Sequence, residues 1–268
     1  MNRHVLVQAL RQAARTTVAL CVGAALFFYL VLASSSSFLS QAAPDTPWLR
    51  NPPRAIRALL GGSADFFDPA GWVVTGMAHP ITLALFTAAA LNVAAGGVAA
   101  EVERGTVDFV LSRPVSRRSY LTAILVASLL VVTAVELSGF LSTLLARQTV
   151  TGLDQLGVAQ LGRVFFGSWT LFAAISAVAV LISANVSYRG RALALSTGFV
   201  VLSFFANFAA LMLDQLYRLR RVSIFHYFQP AQLIGDHASM ADLIVPAGLG
   251  TAAAAAALVS FSRRDIVR

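Results

Sequence analysis

The sequence predicts an all-α integral membrane fold: six transmembrane helices, an N-terminal amphipathic helix, and a short cytoplasmic helix between the second and third spans. Three observations predict it. Hydrophobic residues make up 57% of the 268-residue chain and charged residues 12%, where a soluble domain carries about 25% charged residues. Uncharged or nearly uncharged runs of 18 or more residues recur along its whole length, the signature of helices that cross lipid. The basic residues, every one of them arginine, gather beside those runs, where topology signals and headgroup contacts belong. The mean hydropathy of +0.74 agrees.

Taken in order, residues 1–15 place Val5, Leu6 and Leu10 on one helical face and Arg3, Arg11 and Arg15 mostly elsewhere. This predicts a basic amphipathic helix lying on the cytoplasmic membrane surface. The first span is 16–38. Its uncharged stretch, Thr16 to Pro44, covers 29 residues, beyond the ~7–15-residue apolar core of a signal peptide, so it is expected to be retained. The second span is 76–98, inside a longer apolar stretch from Pro69 to Ala100 whose first part is an interfacial piece. The third is 119–146, interrupted by Glu136, the fourth 164–188, the fifth 192–213 and the sixth 243–262. An open sheet cannot sit in lipid, and the alternating ten-residue segments of a barrel are absent. The whole of 1–268 reads as one transmembrane domain.

Arginine counts give the orientation. Segments 1–15, 101–118, 189–191 and 263–268 hold 12 arginines in 42 residues, and the segments on the other side hold eight in 79. Positive charge favours the cytoplasm, so both termini are expected there, in the cytoplasmic (inner) membrane. Arg218, Arg220 and Arg221 break the bias, and snorkelling to headgroups accommodates them. The net charge of +8 is therefore read as contact with membrane lipid, with no nucleic-acid partner. The single cysteine, Cys21, excludes an internal disulfide.

The most patterned polar segment is Glu101–Tyr120. Gly105 and Thr106 can open a short helix with Thr106 as its N-cap. Asp108 falls in the first turn, where the helix dipole favours an acid. Val107, Val110 and Leu111 supply an apolar face. Pro114 ends the helix and pushes Arg113 towards extended geometry, while Arg117 and Arg118 anchor the next span. A short helix held between two spans and offering mixed charge to a soluble partner acts as a lever. The same residues also suit a solvated loop with topology charges, and physics alone leaves both readings open.

Glu101, Glu103, Gly105 and Thr106, followed by a short apolar helix and then Leu111, Ser112, Pro114, Ser116 and Arg117, resemble the signature of the ABC type-2 permease family. The resemblance implies a coupling helix that docks on an ATPase subunit, with Glu101, Glu103, Arg104, Gly105, Thr106, Asp108, Leu111, Arg113, Pro114 and Arg117 as the coupling residues. It further implies an assembly of two permease chains, identical or different, with two ATPase chains, and export of a small or hydrophobic substrate such as a drug, peptide, lipid or ion. A lysine common in that family after the motif is replaced here by Leu121-Thr122-Ala123-Ile124. At the level of layout the resemblance covers most of the chain, including a long outer segment after the first span and the outer stretch His226–Pro230.

A chain without lysine cannot contain the phosphate-binding loop that ATP hydrolysis uses. No cofactor is expected on this chain, and ATP and Mg belong to the partner ATPase. The four histidines lack metal-ligand spacing, and no H-E-x-x-H or G-x-S-x-G motif occurs, so no catalytic residue is assigned. Glu136 is the one acid in a span core, about 26 Å along its helix from Ser119. Such a group is a candidate for a substrate path, a cavity wall or a partner for Arg147. Phe204 and Phe208 are candidates for an aromatic wall of that path, and Asn92, Asn185 and Asn207 for bonds across helices. Two rivals stand beside the permease: a gradient-driven secondary transporter, which asks for more intramembrane acids than Glu136, and a membrane scaffold that recruits a cytoplasmic partner through 101–118.

Overall fold

The computed structural model describes residues 2–41, 53–59, 68–105, 116–235 and 237–264, and among them every regular element is a helix. The long helices are α1 (Arg3–Gln41), α6 (Arg117–Thr149), α7 (Val158–Asn185), α8 (Arg189–Met212) and α10 (Met240–Arg263). Shorter ones are α2 (Arg54–Leu59), α3 (Pro69–Ala78), α4 (Pro80–Asn92), α5 (Ala99–Glu103) and α9 (Pro230–Ile234). Turns of 3₁₀ helix occupy Leu153–Gln155, Asp214–Val222 and Ile224–Tyr227. Five helices are long and apolar enough to cross a membrane, and the bent pair α3–α4 supplies a sixth if counted as one span.

The observed helices match the expected third, fifth and sixth spans within three residues at each end. Three expectations change. The amphipathic helix over residues 1–15 is not a separate element: α1 runs unbroken for 39 residues, about 58 Å at 1.5 Å per residue, about twice the hydrocarbon thickness. The first glycine of the chain is Gly23 and no proline precedes Pro44, so nothing in this alanine- and leucine-rich stretch breaks the helix. The fourth span begins at Val158 rather than 164. Gly157 precedes it, and the Gln160 side chain folds back on the Gly157 amide at 2.9 Å. The second span is broken. α3 and α4 meet at 50°, and helix ends at Asn92 instead of 98.

The break follows from His79-Pro80. Proline excludes helical geometry from the residue before it and donates no amide hydrogen. His79 is extended, with φ −63° and ψ 136°, and serves as the C-cap of α3 and the N-cap of α4. Its Nδ1 accepts the Ile81 amide at 3.2 Å. The buried Thr82 hydroxyl donates to the Gly76 carbonyl, which the interrupted ladder leaves without a helical partner.

The core lies between α1, α4, α6 and α7. Phe28 sits at its centre, 1% exposed, within 6.1 Å of Phe86 and 5.3 Å of Phe165, ring centre to ring centre. Phe86 meets Phe172 edge-on at 5.4 Å. In lipid no water drives helices together, so close packing and interhelical hydrogen bonds hold them. Ser138 and Ser142 of α6 donate to the Cys21 and Ala25 carbonyls of α1, and Gly139 admits the Phe28 ring between the two helices. α10 rests on α7 through its small-residue face. A Cβ placed on Gly250 would stand 3.1 Å from the Ala174 Cα, and Ala253 and Ala257 are buried.

That contact is backbone against backbone and cannot yield by a side-chain rotation. Gly250→Leu is expected to cost about 1–3 kcal/mol, the range for overpacking. Gly248→Ala, which meets nothing within 4 Å, is expected to be neutral. Thermal unfolding of both variants in one detergent, followed by size-exclusion chromatography, checks the pair.

Candidate functional site

The helical ladder of the second span fails at residues 93–98, which form turns before α5 resumes. The amides of Val98 and Ala99 lie inside the protein, and both residues are fully buried. Each donates to the Ser183 hydroxyl of α7, at 3.2 and 3.1 Å. Ser183 itself is wholly buried. Tyr120, in the first turn of α6, donates its hydroxyl to the Gly97 carbonyl at 2.5 Å. One irregular turn is thus pinned to two other spans.

α5 is pinned to a third. The Glu103 carboxylate accepts the backbone amide of Arg189, the first residue of α8, at 2.9 Å. Glu101 pairs with Arg104 one turn along. Gly105 then takes φ +66°, a left-handed geometry that glycine adopts without penalty, and its amide bonds to the Val102 carbonyl at 3.0 Å. Ser116 caps α6 by accepting the Ser119 amide at 3.2 Å. The expected helix and its residues Thr106, Asp108, Leu111, Arg113 and Pro114 lie outside the described residues. Arg117 is turned to a structural contact: its guanidinium donates to the Arg264 carbonyl at the end of α10. Arg264 in turn donates to the Ala184 and Val186 carbonyls, closing the end of α7.

Two cavities flank this turn. A polar one of about 440 Å³ lies between α1, the 93–97 turn and the start of α6, lined among others by Gln8, Gln12, Thr16, Glu101, Arg104 and Tyr120. An apolar groove of about 550 Å³ runs between α4 and α8, walled by Leu83, Leu91, Val200, Phe204 and Phe205. Phe204 is among its lining residues. Phe208 does not line it but stacks on Phe204 at 6.4 Å. Phe225, beyond the far end of α8, meets Phe204 edge-on at 5.8 Å and lines the groove too.

Glu136 is only 4% exposed and is not part of either lining. Its Oε1 accepts the Ser168 hydroxyl at 2.7 Å, and its Oε2 is buried with no hydrogen-bond partner among the described residues. The expected pairing with Arg147 does not occur. Arg147 instead caps the turn after α6, donating to the Leu156 and Asp154 carbonyls at 2.6 and 2.9 Å. Asn185 bonds across to Ser260 at 3.1 Å and Asn92 to Thr17 at 3.4 Å, both between helices as expected. The Asn207 Oδ1 has no hydrogen-bond partner among the described residues.

At the other end of α8 the chain doubles back through the arginine-bearing turn Asp214–Val222. Ser223 donates to the Ser203 carbonyl at 2.6 Å. His226 lies half-buried next to this turn. Burial first and Arg220 next lower its pKa below 6.5, Asp242 opposes them, and Arg221 lowers it further. Ser183, Arg189 and Ser168 were not singled out from the sequence. A serine within an apolar run, or an arginine beside one, carries no pattern that separates a clasp from an ordinary span or topology residue.

A family model described as ABC-2 family transporter protein matches residues 10–266. A comparison with curated proteins gives no match.

Ser183→Ala leaves two buried amides without an acceptor, and is expected to cost about 1–3 kcal/mol and to speed amide hydrogen exchange at residues 98–99. Exchange mass spectrometry checks it against Ser187→Ala, outside the turn. His226 predicts a pH effect. The folded protein resists a proton that the unfolded chain accepts near pH 6.5, so this contribution to stability is present above that pH and lost as pH falls below it. Melting from about pH 7.5 to about pH 5.5 is expected to show a shallower loss in His226→Gln than in the parent.

Proposed function

The chain belongs to the ABC-2 family of transporter proteins, and from that premise we propose that it is the membrane-spanning permease subunit of an ATP-driven exporter whose nucleotide-hydrolysing subunits are separate chains. In this reading the bent pair α3–α4 is one span, giving six. Both termini are cytoplasmic, and the protein resides in the cytoplasmic membrane. Two permease chains assemble with two ATPase chains, which hold ATP and Mg. Residues 106–112 form the coupling helix that docks on the ATPase. The cargo path runs along the groove between α4 and α8, and the cavity opens alternately to either side.

The observation that carries this reading is the clasp around residues 93–105. The expected coupling segment begins directly after Gly105 and is followed by Ser116 at the start of α6. Just before that segment, Glu103 grips the first amide of α8, and Ser183 and Tyr120 grip the turn behind it. A push delivered to residues 106–115 therefore reaches the second, third, fourth and fifth spans through hydrogen bonds rather than through loose chain. Two of those spans wall the groove. A partner that changes shape on binding ATP needs this kind of rigid connection to alter a cavity on the far side of the clasp.

Affinity purification of the tagged full chain in mild detergent, with partners identified by mass spectrometry, tests the assignment. A stoichiometric chain bearing a phosphate-binding loop is the expected result. Absence of any ATPase under conditions that keep complexes intact overturns it. In the assembled complex, Glu103→Arg is expected to remove most ATP-driven transport without preventing membrane insertion. Glu103→Gln, which keeps a carbonyl oxygen for the Arg189 amide, is expected to retain most of it. Normal transport in Glu103→Arg sinks the clasp as the coupling element.

A further inference from the structure

The polar cavity and the apolar groove adjoin. Both linings include Asn92, Gly96 and Arg189, at the point where α4 ends and α8 begins. A molecule lying across that junction has one end among amides, hydroxyls and guanidinium groups and the other against hydrocarbon. That is the division of an amphiphile.

The charges at the junction set the sign of its head. Glu101, Arg104 and Arg189 are the charged residues lining the two cavities. Glu101 and Arg104 pair with each other. The Glu103 carboxylate is engaged by the Arg189 backbone amide. The Arg189 guanidinium makes no hydrogen bond or ion pair among the described residues. It lies over Gly96, its Nε 3.4 Å from where a Cβ would stand. Glu103 lies outside both linings, and within them the charge left without a partner is positive.

The far end of the same helix also carries cations. Arg218, Arg220 and Arg221 lie in the turn Asp214–Val222 that follows α8, outside the groove lining and a few residues before its member Phe225. The Arg220 Nε is shielded from solvent with no acceptor among the described residues. Cations thus stand at both ends of α8, Arg189 within the groove lining and Arg218, Arg220 and Arg221 beyond it, and the groove's own walls carry no acid. A cationic ligand would lose its hydration there without gaining a counter-charge, whereas an anion gains charge-assisted hydrogen bonds at both ends. A volume of about 550 Å³ lies in the ~300–1,000 Å³ range of small-ligand sites, room for one chain or ring system rather than for a two-chain lipid.

We propose that the cargo is an acidic single-chain amphiphile. Its carboxylate or phosphate head is read by Arg189 on one side of the membrane and received by the Arg218–Arg221 cluster on the other, while its apolar body lies along Leu91, Val200 and Phe204. The proposal rests on the permease reading, since it names what that permease moves. It also gives the three arginines that break the charge bias a task.

The full chain in phosphatidylcholine nanodiscs is titrated with fluorescent lysophosphatidate and, separately, with lysophosphatidylcholine bearing the same labelled chain. The phosphate-headed probe is expected to bind about tenfold more tightly or better. Arg189→Gln removes that preference and leaves the choline probe unchanged. Ala88→Trp, which fills the groove, weakens both probes. Equal binding of the two probes, or indifference to Arg189→Gln, overturns the proposal. Displacement of the probe by phosphatidylglycerol as readily as by unlabelled lysophosphatidate assigns the site to bilayer lipid and overturns it as well. Binding is read without nucleotide or ATPase, so its failure leaves the partner experiment standing, and a missing ATPase leaves the binding result standing.

Discussion

Hydrocarbon offers a broken helix nothing to bond with, and that constraint governs the end of the second span. Residues 93–98 depart from helical geometry inside the bundle, so their amides need partners from other helices. One buried hydroxyl, Ser183, takes the amide of Val98 and that of Ala99 just after it, and Tyr120 satisfies the Gly97 carbonyl beside them. The position of α5, the left-handed exit at Gly105 and the grip of Glu103 on α8 all follow from where that turn is held. Had the helix simply continued through these residues, no polar cavity would open beside α1.

The bundle is packed unevenly around this point. On one side α1, α6 and α7 enclose a set of phenylalanines with Phe28 at the centre, and helix pairs approach through serine and glycine. On the other side α8 buries only Ala192, Ser196, Val200 and Ala210 along its length. A helix with so few buried side chains is held mainly at its ends, by Glu103 at the start and by Ser223 bonding to Ser203 near the finish. Dense packing resists deformation, so relative motion concentrates at the open side, where the groove lies.

Helical class and most span positions were legible in the sequence because lipid imposes a coarse rule of length and charge that single residues rarely override. The limits of α6, α8 and α10 therefore fell within three residues of expectation. His79-Pro80 marks a helix start or kink from the sequence alone, but the end of the second span was misplaced because it depends on Ser183, which hydropathy does not report. Glu136 was visible as a rare intramembrane acid. Its partner was not, since Ser168 sits in an unremarkable apolar run 32 residues away and only folding brings them to 2.7 Å. The aromatic character of α8 was legible, but which rings face the groove was not: Phe204 lines it while Phe208, one turn on, stacks behind. Arg189 looked like an ordinary topology charge until α4 ended beside it.

The bend between α3 and α4 separates two helical segments that share α1 and otherwise have different companions. α3 rests on α1 and on α9, whereas α4 rests on α1, α6 and α7. Between them the backbone passes through a single extended residue, His79, with no helical hydrogen bond spanning the proline. The helix pair is therefore articulated. Torque applied through α4 need not be transmitted to α3 as rotation about a common axis, because the peptide at His79-Pro80 acts as an elbow. The half of the pair nearer the clasp can swing with its neighbours while the other half keeps its seat, and a passage lined by such a pair can be sealed at one end while the other end is rearranged.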